Sequence, residues 1–326
     1  MRRVAAFAWV GFFASVASAG APDRYSSGLS AETRGDSRAG EVVMLRRAPE
    51  GRVHLGGGSF VMGATPLEML HGVQLCQREP LGTLLLPIED QNHVVHNRSA
   101  FCDVLRFEAE GVAHTVTLSP FWIDRTEVRV GDYMRCVSAG SCNPPGFAAS
   151  DARYANPDFP VVLVTWDDAA QYCAFAGGRL PTEAEWELAA RGTAGRVFPW
   201  GNVYNPHLAN HGSIALDRTD ATDGYAGLAP VGSIRDGRTP LGLLDMAGNA
   251  SEWVADEIDP DASPFENAQA YAPAPAVNPH ARGGKRRVAR GGSYLTGADS
   301  LRSTARTLLT PTRRYADVGF RCAADH

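Results

Sequence analysis

Short apolar stretches alternate with turn-forming residues along most of the chain, and this pattern predicts short strands. GGGSFVMGA, residues 56–64, contains a glycine turn followed by alternating apolar positions. HTVTLSPFWIDRTEVRV, residues 114–130, alternates like two strands that meet at Pro120. RRVARGGSYL, residues 286–295, predicts a buried strand that runs into a second glycine turn.

Helical spacing is confined to the middle of the chain. VGDYMRCVSAG, residues 130–140, predicts a short helix that ends at its glycine. A second helix is predicted before the glycine pair at 177–178, because Ala169 and Cys173 fall on one helical face. The sequence TEAE, which starts at Thr182, is a Thr-x-x-Glu capping box and predicts the start of a third helix.

Two segments interrupt this pattern. Residues 65–113 form an irregular insertion, and residues 258–284 form a surface loop rich in proline and alanine. Beyond residue 197 helical spacing is absent, and a chain of this kind stays compact when disulfides or metals fix its loops. The sequence therefore predicts a flexible leader at 20–52 and one folded domain at 53–326 that contains both insertions.

The N-terminus has the three parts of a secretory signal peptide. Two arginines follow Met1, residues 4–16 are almost entirely apolar, and Ala17-Ser18-Ala19 forms a small-residue cleavage site. An uncleaved membrane anchor is the alternative, but the apolar run is shorter than the ~20 residues that a membrane-spanning helix needs. We therefore predict a signal peptide at 1–19, a secreted or periplasmic location, and no membrane span after its removal.

Composition narrows the class of protein further. The chain has 326 residues, a hydrophobic content of 44% and a charged content of 21%, values typical of a globular protein. Its formal net charge of −5 gives no support to a nucleic-acid-binding function.

The six cysteines suggest three disulfides, because their number is even and the predicted compartment is oxidising. Cys136 and Cys142 flank a tight local loop, and Cys76 and Cys102 lie in the same insertion. Cys173 and Cys322 remain as a long-range pair. The alternative for each pair is two buried free thiols.

Several motifs together resemble the formylglycine-generating enzyme (sulfatase-modifying factor) family. In the order that the family shows, they are GGSFVMG at Gly57, PFWIDRTEV at Pro120, VTWDDAAQYCAFAGGRLPTEAEWELAARG at Val164, FPWGN at Phe198, APVGS at Ala229, GLLDMAGNASEWVAD at Gly242, RVARGGSY at Arg287 and GFRCA at Gly319. The resemblance implies an α+β domain with a variant of the C-type lectin fold, low in regular secondary structure and stabilised by calcium and disulfides. It also supports the pairing of Cys173 with Cys322.

The resemblance implies two bound calcium ions. The first ion would take side chains of Asn210 and Asp223 and backbone oxygens of His211 and Tyr225. The second would take side chains of Asp245 and Glu252 and backbone oxygens of Gly248 and Ala250. Calcium prefers several hard oxygens, which LDMAGNASEW supplies within a few residues. The alternative is that these are turn residues without a metal, since Asn, Asp and Gly dominate turns.

Copper is not expected. In enzymes of this family, the segment after Gly-Gly-Ser-Tyr carries two cysteines that bind copper(I), which activates oxygen to oxidise a substrate cysteine to formylglycine. Here Thr296 occupies the first position, and residues 291–309 contain no cysteine. Copper(I) is selected by soft thiolate ligands, which a threonine hydroxyl cannot replace.

Ser293, Arg302 and Arg306 fall in the region equivalent to the family pocket, where they could bind a peptide or an anion. The alternative is structural, because arginines at positions i and i+4 pair readily with nearby acids.

Two classes of function remain. The first is a non-catalytic, calcium-stabilised binding or scaffold module, with the two insertions as the surface for a protein, peptide or small-molecule partner. The second is a diverged periplasmic oxidoreductase, similar to the pyoverdine-maturation members of the family, which also lack the copper cysteines. The family resemblance leaves open whether the protein is an enzyme, and we favour the first class, as a monomer.

Overall fold

The computed structural model describes residues 51–78, 113–212, 221–259 and 276–326, together with residues 89, 90, 93, 94, 102, 107, 110 and 111. The predicted signal peptide at 1–19 and nearly all of the leader at 20–52 lie outside these described residues, as do the middle parts of both insertions. None of the helices within the described ranges is long and apolar enough to cross a membrane.

Within the described residues, two short 3₁₀ helices span Pro206–Leu208 and Arg235–Gly237, and the α-helices all lie before residue 192. Over the described ranges they are α1 (Pro66–Arg78), α2 (Val130–Ser138), α3 (Trp166–Phe175) and α4 (Glu183–Arg191). The predicted helices correspond to α2, α3 and α4. The predicted capping box is confirmed in α4: the Thr182 hydroxyl accepts the Glu185 N–H at 3.2 Å, and the Glu185 carboxylate accepts the Thr182 N–H at 2.8 Å.

Helix α1 corrects the prediction of an irregular insertion at 65–113. Thr65 and Glu68 form a further capping box, in which the Glu68 carboxylate accepts the Thr65 N–H at 2.8 Å, and Pro66 occupies the first helical turn. This helix-start signal, Thr65 followed by Glu68, is present in the sequence. It was missed because the apolar spacing is weak: Leu67 and Leu70 are exposed to solvent.

The strands are short, and β1 to β12 run as follows: Arg52–Leu55, Gly58–Met62, Glu89–Asp90, His93–Val94, His114–Leu118, Phe121–Asp124, Ser251–Ile258, Ala276–Val277, Arg286–Arg290, Arg306–Leu309, Val318–Gly319 and Ala323–Asp325. They form sheets with the orders β1-β6-β12, β10-β9-β7-β11 and β2-β5-β8, and β3 pairs with β4. Strands β5 and β6 flank Pro120 as the alternation predicts, and β9 is the predicted strand before the glycine turn. This mixed architecture agrees with the predicted α+β class.

All six cysteines are paired, in the three combinations that the sequence predicts: Cys76–Cys102, Cys136–Cys142 and Cys173–Cys322. The last two lie in one apolar cluster with Tyr133, Trp253 and Phe320. Cys173–Cys322 therefore joins α3 to the end of the chain across a buried core.

Helix α4 is buried along its whole length, although it carries four charged residues. The Glu187 carboxylate binds the guanidinium of Arg290 at 2.6 Å and that of Arg191 at 3.1 Å. Glu183 binds Arg306 at 2.6 Å, and Arg191 also pairs with Glu68 of α1. These ion pairs allow a charged helix to lie in the core, because each buried charge has a partner.

Asp256 of β7 is buried at the N-terminal end of α4. Its two carboxylate oxygens accept the backbone N–H groups of Glu183 at 2.6 Å and Ala281 at 2.9 Å. Burial, with a smaller contribution from the Glu183 carboxylate, raises the pKa of Asp256 to about 7. This side chain ties the end of the second insertion to the start of α4.

We predict a pH dependence of stability from Asp256. Its pKa is higher in the folded chain than the ordinary 3.8, so the folded state binds an extra proton between these values. The free energy of unfolding should therefore decrease as the pH rises from about 4 to about 7, and this contribution should be constant above pH 7. Asp256→Asn should lack this slope. Urea unfolding of both proteins at several pH values measures it, and equal slopes would contradict the assignment.

Candidate functional site

The segment that the family resemblance aligns with the copper cysteines, residues 291–306, leads from β9 into β10. Every residue in it except Tyr294 is buried. The Arg290 guanidinium lies inside its curve and donates to the carbonyl oxygens of Ser303, Thr304 and Ala305 at 2.6 to 2.9 Å. The segment is therefore wrapped around an internal cation and presents little surface to solvent.

The hydroxyls of Ser293 and Thr296 are both hydrogen-bonded within the protein. The Thr296 hydroxyl accepts the Ser293 N–H at 2.8 Å and donates to the Ser293 carbonyl at 3.1 Å. The Ser293 hydroxyl donates to the Asp317 carboxylate at 2.9 Å. Thr296, which the resemblance aligns with the first copper cysteine, thus closes a tight turn.

The two arginines of the segment form buried ion pairs. Arg302 pairs with both oxygens of Glu110, one of them at 2.9 Å, and its guanidinium lies 5.1 Å from the centre of the Phe107 ring. Arg306 pairs with Glu183 at 2.6 Å. This is the structural alternative from the sequence analysis, in which both arginines pair with nearby acids.

Helix α1 and residues Cys102, Phe107 and Glu110 of the first insertion lie over this segment, and we call them the insertion cover. Leu75 of α1 packs in one apolar cluster with Ala298 and Leu301. Gly72 allows the close approach, because a Cβ at this position would lie 2.6 Å from the Arg302 guanidinium carbon. The insertion cover thus helps to exclude solvent from residues 291–306.

The residues predicted for the first calcium site lie together. The Asp223 carboxylate accepts the N–H groups of His211 at 2.6 Å and Tyr225 at 2.8 Å. Asn210 is 3% exposed, and its side-chain oxygen has no hydrogen-bond donor in the described part of the chain. A buried amide oxygen without a donor beside a carboxylate is a suitable pair of ligands for calcium. The first set therefore fits the ion.

The second predicted set fits calcium less completely. Asp245 accepts the Gly232 N–H at 2.5 Å, and Gly248 and Ala250 lie in the buried loop that follows. Both oxygens of Glu252 are taken by the Arg321 guanidinium at 2.7 Å, and one also accepts the Trp186 indole N–H at 2.8 Å. Glu252 is thus neutralised by a cation of the protein itself, and it is not a free ligand.

Glu127 is the acidic residue beside Asp245 that the sequence analysis missed. It is 2% exposed and accepts the Ala250 N–H at 3.1 Å. Burial, together with the charges of Asp245 and Glu252, raises the pKa of Glu127, and burial also raises the pKa of Asp245. The position of Glu127 within the family motif PFWIDRTEV was the signal in the sequence that could have indicated it. Asp245 and Glu127 thus face each other with one nearby guanidinium, that of Arg321.

No group of three His, Cys, Asp or Glu side chains within the described ranges forms a metal-binding cluster by itself. A calcium ion at either set would therefore depend on amide and carbonyl oxygens as well as carboxylates. This requirement matches the mixed oxygen ligands that calcium accepts.

Comparison with known proteins agrees with the fold and the motifs. The family model described as sulfatase-modifying factor enzyme 1-like domain matches residues 39–326. The chain belongs to the sulfatase-modifying factor family. A formylglycine-generating enzyme of Streptomyces coelicolor is 36% identical over 298 residues, which cover 86% of this chain and 90% of that protein.

Two further similar proteins have other names. The inactive Cα-formylglycine-generating enzyme 2 of Mus musculus is 39% identical over 174 residues, covering 51% of this chain and 49% of that protein. The structure of PvdO from Pseudomonas aeruginosa matches with a TM-score of 0.59 and 26% identity, covering 84% of this chain and 94% of that one.

We predict that the insertion cover depends on the Arg302–Glu110 pair. Glu110→Ala leaves a buried guanidinium without its carboxylate, which should lower the free energy of unfolding by about 3–5 kcal/mol. Asp158→Ala is the matched control, since its carboxylate is exposed and lies 3.4 Å from Arg129. The control should lose less than about 1 kcal/mol. Urea unfolding measures both variants, and equal losses would show that the buried pair has no special role.

Proposed function

We propose that this protein is an exported, calcium-stabilised binding module that does not make formylglycine by the copper-cysteine route. The observation that carries the proposal is the state of residues 291–306. This segment lacks cysteine, and the side chains of Thr296 and Arg302 form hydrogen bonds beneath the insertion cover. A substrate cysteine would have neither a metal thiolate nor an open surface to approach.

Further support comes from the named relatives and from the disulfides. One relative at 39% identity carries the word "inactive" in its name, so members of this family without the activity occur. Three disulfides are compatible with an oxidising compartment and hence with export.

A cleft elsewhere on the domain offers a binding surface. It has a volume of about 750 Å³. Asn278, His280 and Arg282, at the end of the second insertion, form one side, and Leu118 and Leu180 contribute apolar surface. The His280 ring is held by the Ala255 carbonyl at 3.3 Å, and Arg282 contacts the same ring at 3.3 Å. Polar groups beside an apolar wall are typical of ligand-binding clefts.

Calcium has a structural role in this proposal. Asn210 and Asp223 would hold the first ion, and Asp245 with the loop at Gly248 and Ala250 would hold the second. Each ion would cross-link loops that have no helix or strand of their own.

A diverged oxidoreductase is the second candidate. The likeness to PvdO over 84% of this chain favours it, because that protein aligns along nearly its whole length. This function requires a redox centre or a reactive pocket outside the buried segment at 291–306.

Elemental analysis of the mature protein, purified without chelator after mild loading with copper and iron, separates these functions. The binding module should contain calcium and no stoichiometric copper or iron, and it should not oxidise cysteine peptides or small phenolic substrates. Stoichiometric copper or iron, together with turnover of either substrate, would reject the binding module in favour of the oxidoreductase.

We also predict that chelation destabilises the protein. Calcium binds only the folded state, so excess chelator should lower the melting temperature by several degrees, and added calcium should restore it. Asp223→Ala should have a smaller shift than the wild type, because one site is already lost. Differential scanning fluorimetry measures both. An unchanged melting temperature in excess chelator would remove the calcium assignment.

A further inference from the structure

Asn249 lies between the two predicted calcium sites. Its side chain is 2% exposed, and its backbone has a φ of 61°, a left-handed conformation that few residues other than glycine adopt. It is not among the predicted ligands. Its side chain nevertheless contacts Asn210 of the first predicted site and Glu127 beside the second.

The amide of Asn249 has one fixed orientation. Its oxygen accepts the Ala229 N–H at 2.9 Å, and its nitrogen donates to the Ala229 carbonyl at 3.3 Å. Exchanging oxygen and nitrogen would place donor against donor and acceptor against acceptor. Asn249 therefore presents its oxygen to one side and its NH₂ group to the other.

The oxygen side of Asn249 orients Asn210. The Asn210 side-chain nitrogen donates to the Asn249 oxygen at 3.0 Å and to the Gly227 carbonyl at 2.9 Å. Both amide hydrogens of Asn210 are used in this way, so its oxygen points in the remaining direction. That oxygen is the buried atom without a donor in the described part of the chain. Asn249 thus fixes the orientation of the Asn210 amide, and the Asn210 oxygen is left available to a cation.

The nitrogen side of Asn249 reaches the second set. It donates to the Glu127 carboxylate at 3.4 Å, and the other oxygen of Glu127 accepts the Ala250 N–H at 3.1 Å. Glu127 is in turn an electrostatic neighbour of Asp245. One side chain thus contacts a ligand of the first site and the neighbour of a ligand of the second.

The backbone joins the same two loops. The Asn249 N–H donates to the Asn210 carbonyl at 2.7 Å. At Gly248, a Cβ would lie only 2.1 Å from that carbonyl oxygen, and φ is 79°, so a side chain is excluded twice. Because the loops are in direct contact, a shift of one must displace the other.

We infer that Asn249 is a positioning residue that couples the two calcium sites, so that an ion at either site raises the affinity of the other. The inference rests on the proposed calcium binding and deepens it. Neighbours that orient metal ligands commonly change affinity without touching the metal. Coupling between binding sites is reciprocal, so the effect must operate in both directions.

Isothermal titration with calcium alone tests the coupling in the mature protein after removal of chelator. Asp223→Ala leaves the second site, and Asp245→Ala leaves the first. Coupling predicts that the remaining site in each variant binds calcium at least about fivefold more weakly than in the wild type. Wild-type affinity at the remaining site in both variants would overturn it.

Asn249→Ala tests the residue itself. It should weaken both sites, and combining it with Asp223→Ala should weaken the second site little beyond the effect of either change alone. The matched control is Asn156→Ala, an exposed asparagine whose side-chain oxygen accepts the Asp158 N–H at 3.0 Å. The control should keep both affinities. Equal effects of the two changes would contradict the role of Asn249.

The outcomes distinguish the inference from the proposal beneath it. If the wild type binds two ions independently, the coupling is wrong and calcium binding stands. If the wild type binds none, both are wrong. If Asn249→Ala does not fold, the two single-site variants still decide whether the sites are coupled.

Discussion

The fold depends on the burial of helix α4 together with its charges. Nine residues, Glu183–Arg191, lie in the core, and the three glutamates and the arginine among them cannot reach bulk water. Ionised side chains in such a place need oppositely charged partners, because desolvation of an unpaired charge costs several kcal/mol. The partners come from distant parts of the chain: Arg290 from β9, Arg306 from β10 and Glu68 from α1. One helix thereby sets the positions of three other elements.

The need to pair buried charges also explains why residues 291–306 are largely buried and held by ion pairs. Arg290 neutralises α4, and its remaining donors hold residues 303–305 in a curve. Arg302 at the other side of the curve is paired with Glu110, which belongs to the insertion. The insertion cover is therefore part of the charge balance of the core. Residues 291–306 contain no cysteine, and their side chains contribute to packing and ion pairs.

The loops in the second half of the chain are held by specific polar contacts. No α-helix follows Arg191 in the described ranges, so backbone groups of the loops there need partners in side chains and in other loops. Asn249 satisfies several of them, and its carbonyl accepts the Tyr294 N–H at 2.9 Å. This bond joins the loop at residues 248–250 to the segment at 291–306, so buried amides link distant loops here in place of regular secondary structure.

The sequence by itself determined the family motifs, the cysteine pairs, three helices and the strands around Pro120. The helices and strands follow from local pattern, spacing and capping residues, which act over a few positions. The long-range pair Cys173–Cys322 instead follows from the even number of cysteines and from the family resemblance. The sequence did not reveal α1 as a cover, because weak amphipathicity hides which surface a helix contacts. It also missed Glu127. It predicted Glu252 as a calcium ligand, whereas both carboxylate oxygens of Glu252 bind Arg321, 69 positions away along the chain. Only the tertiary structure decided these points, because charge pairing and burial depend on which distant residues meet in space.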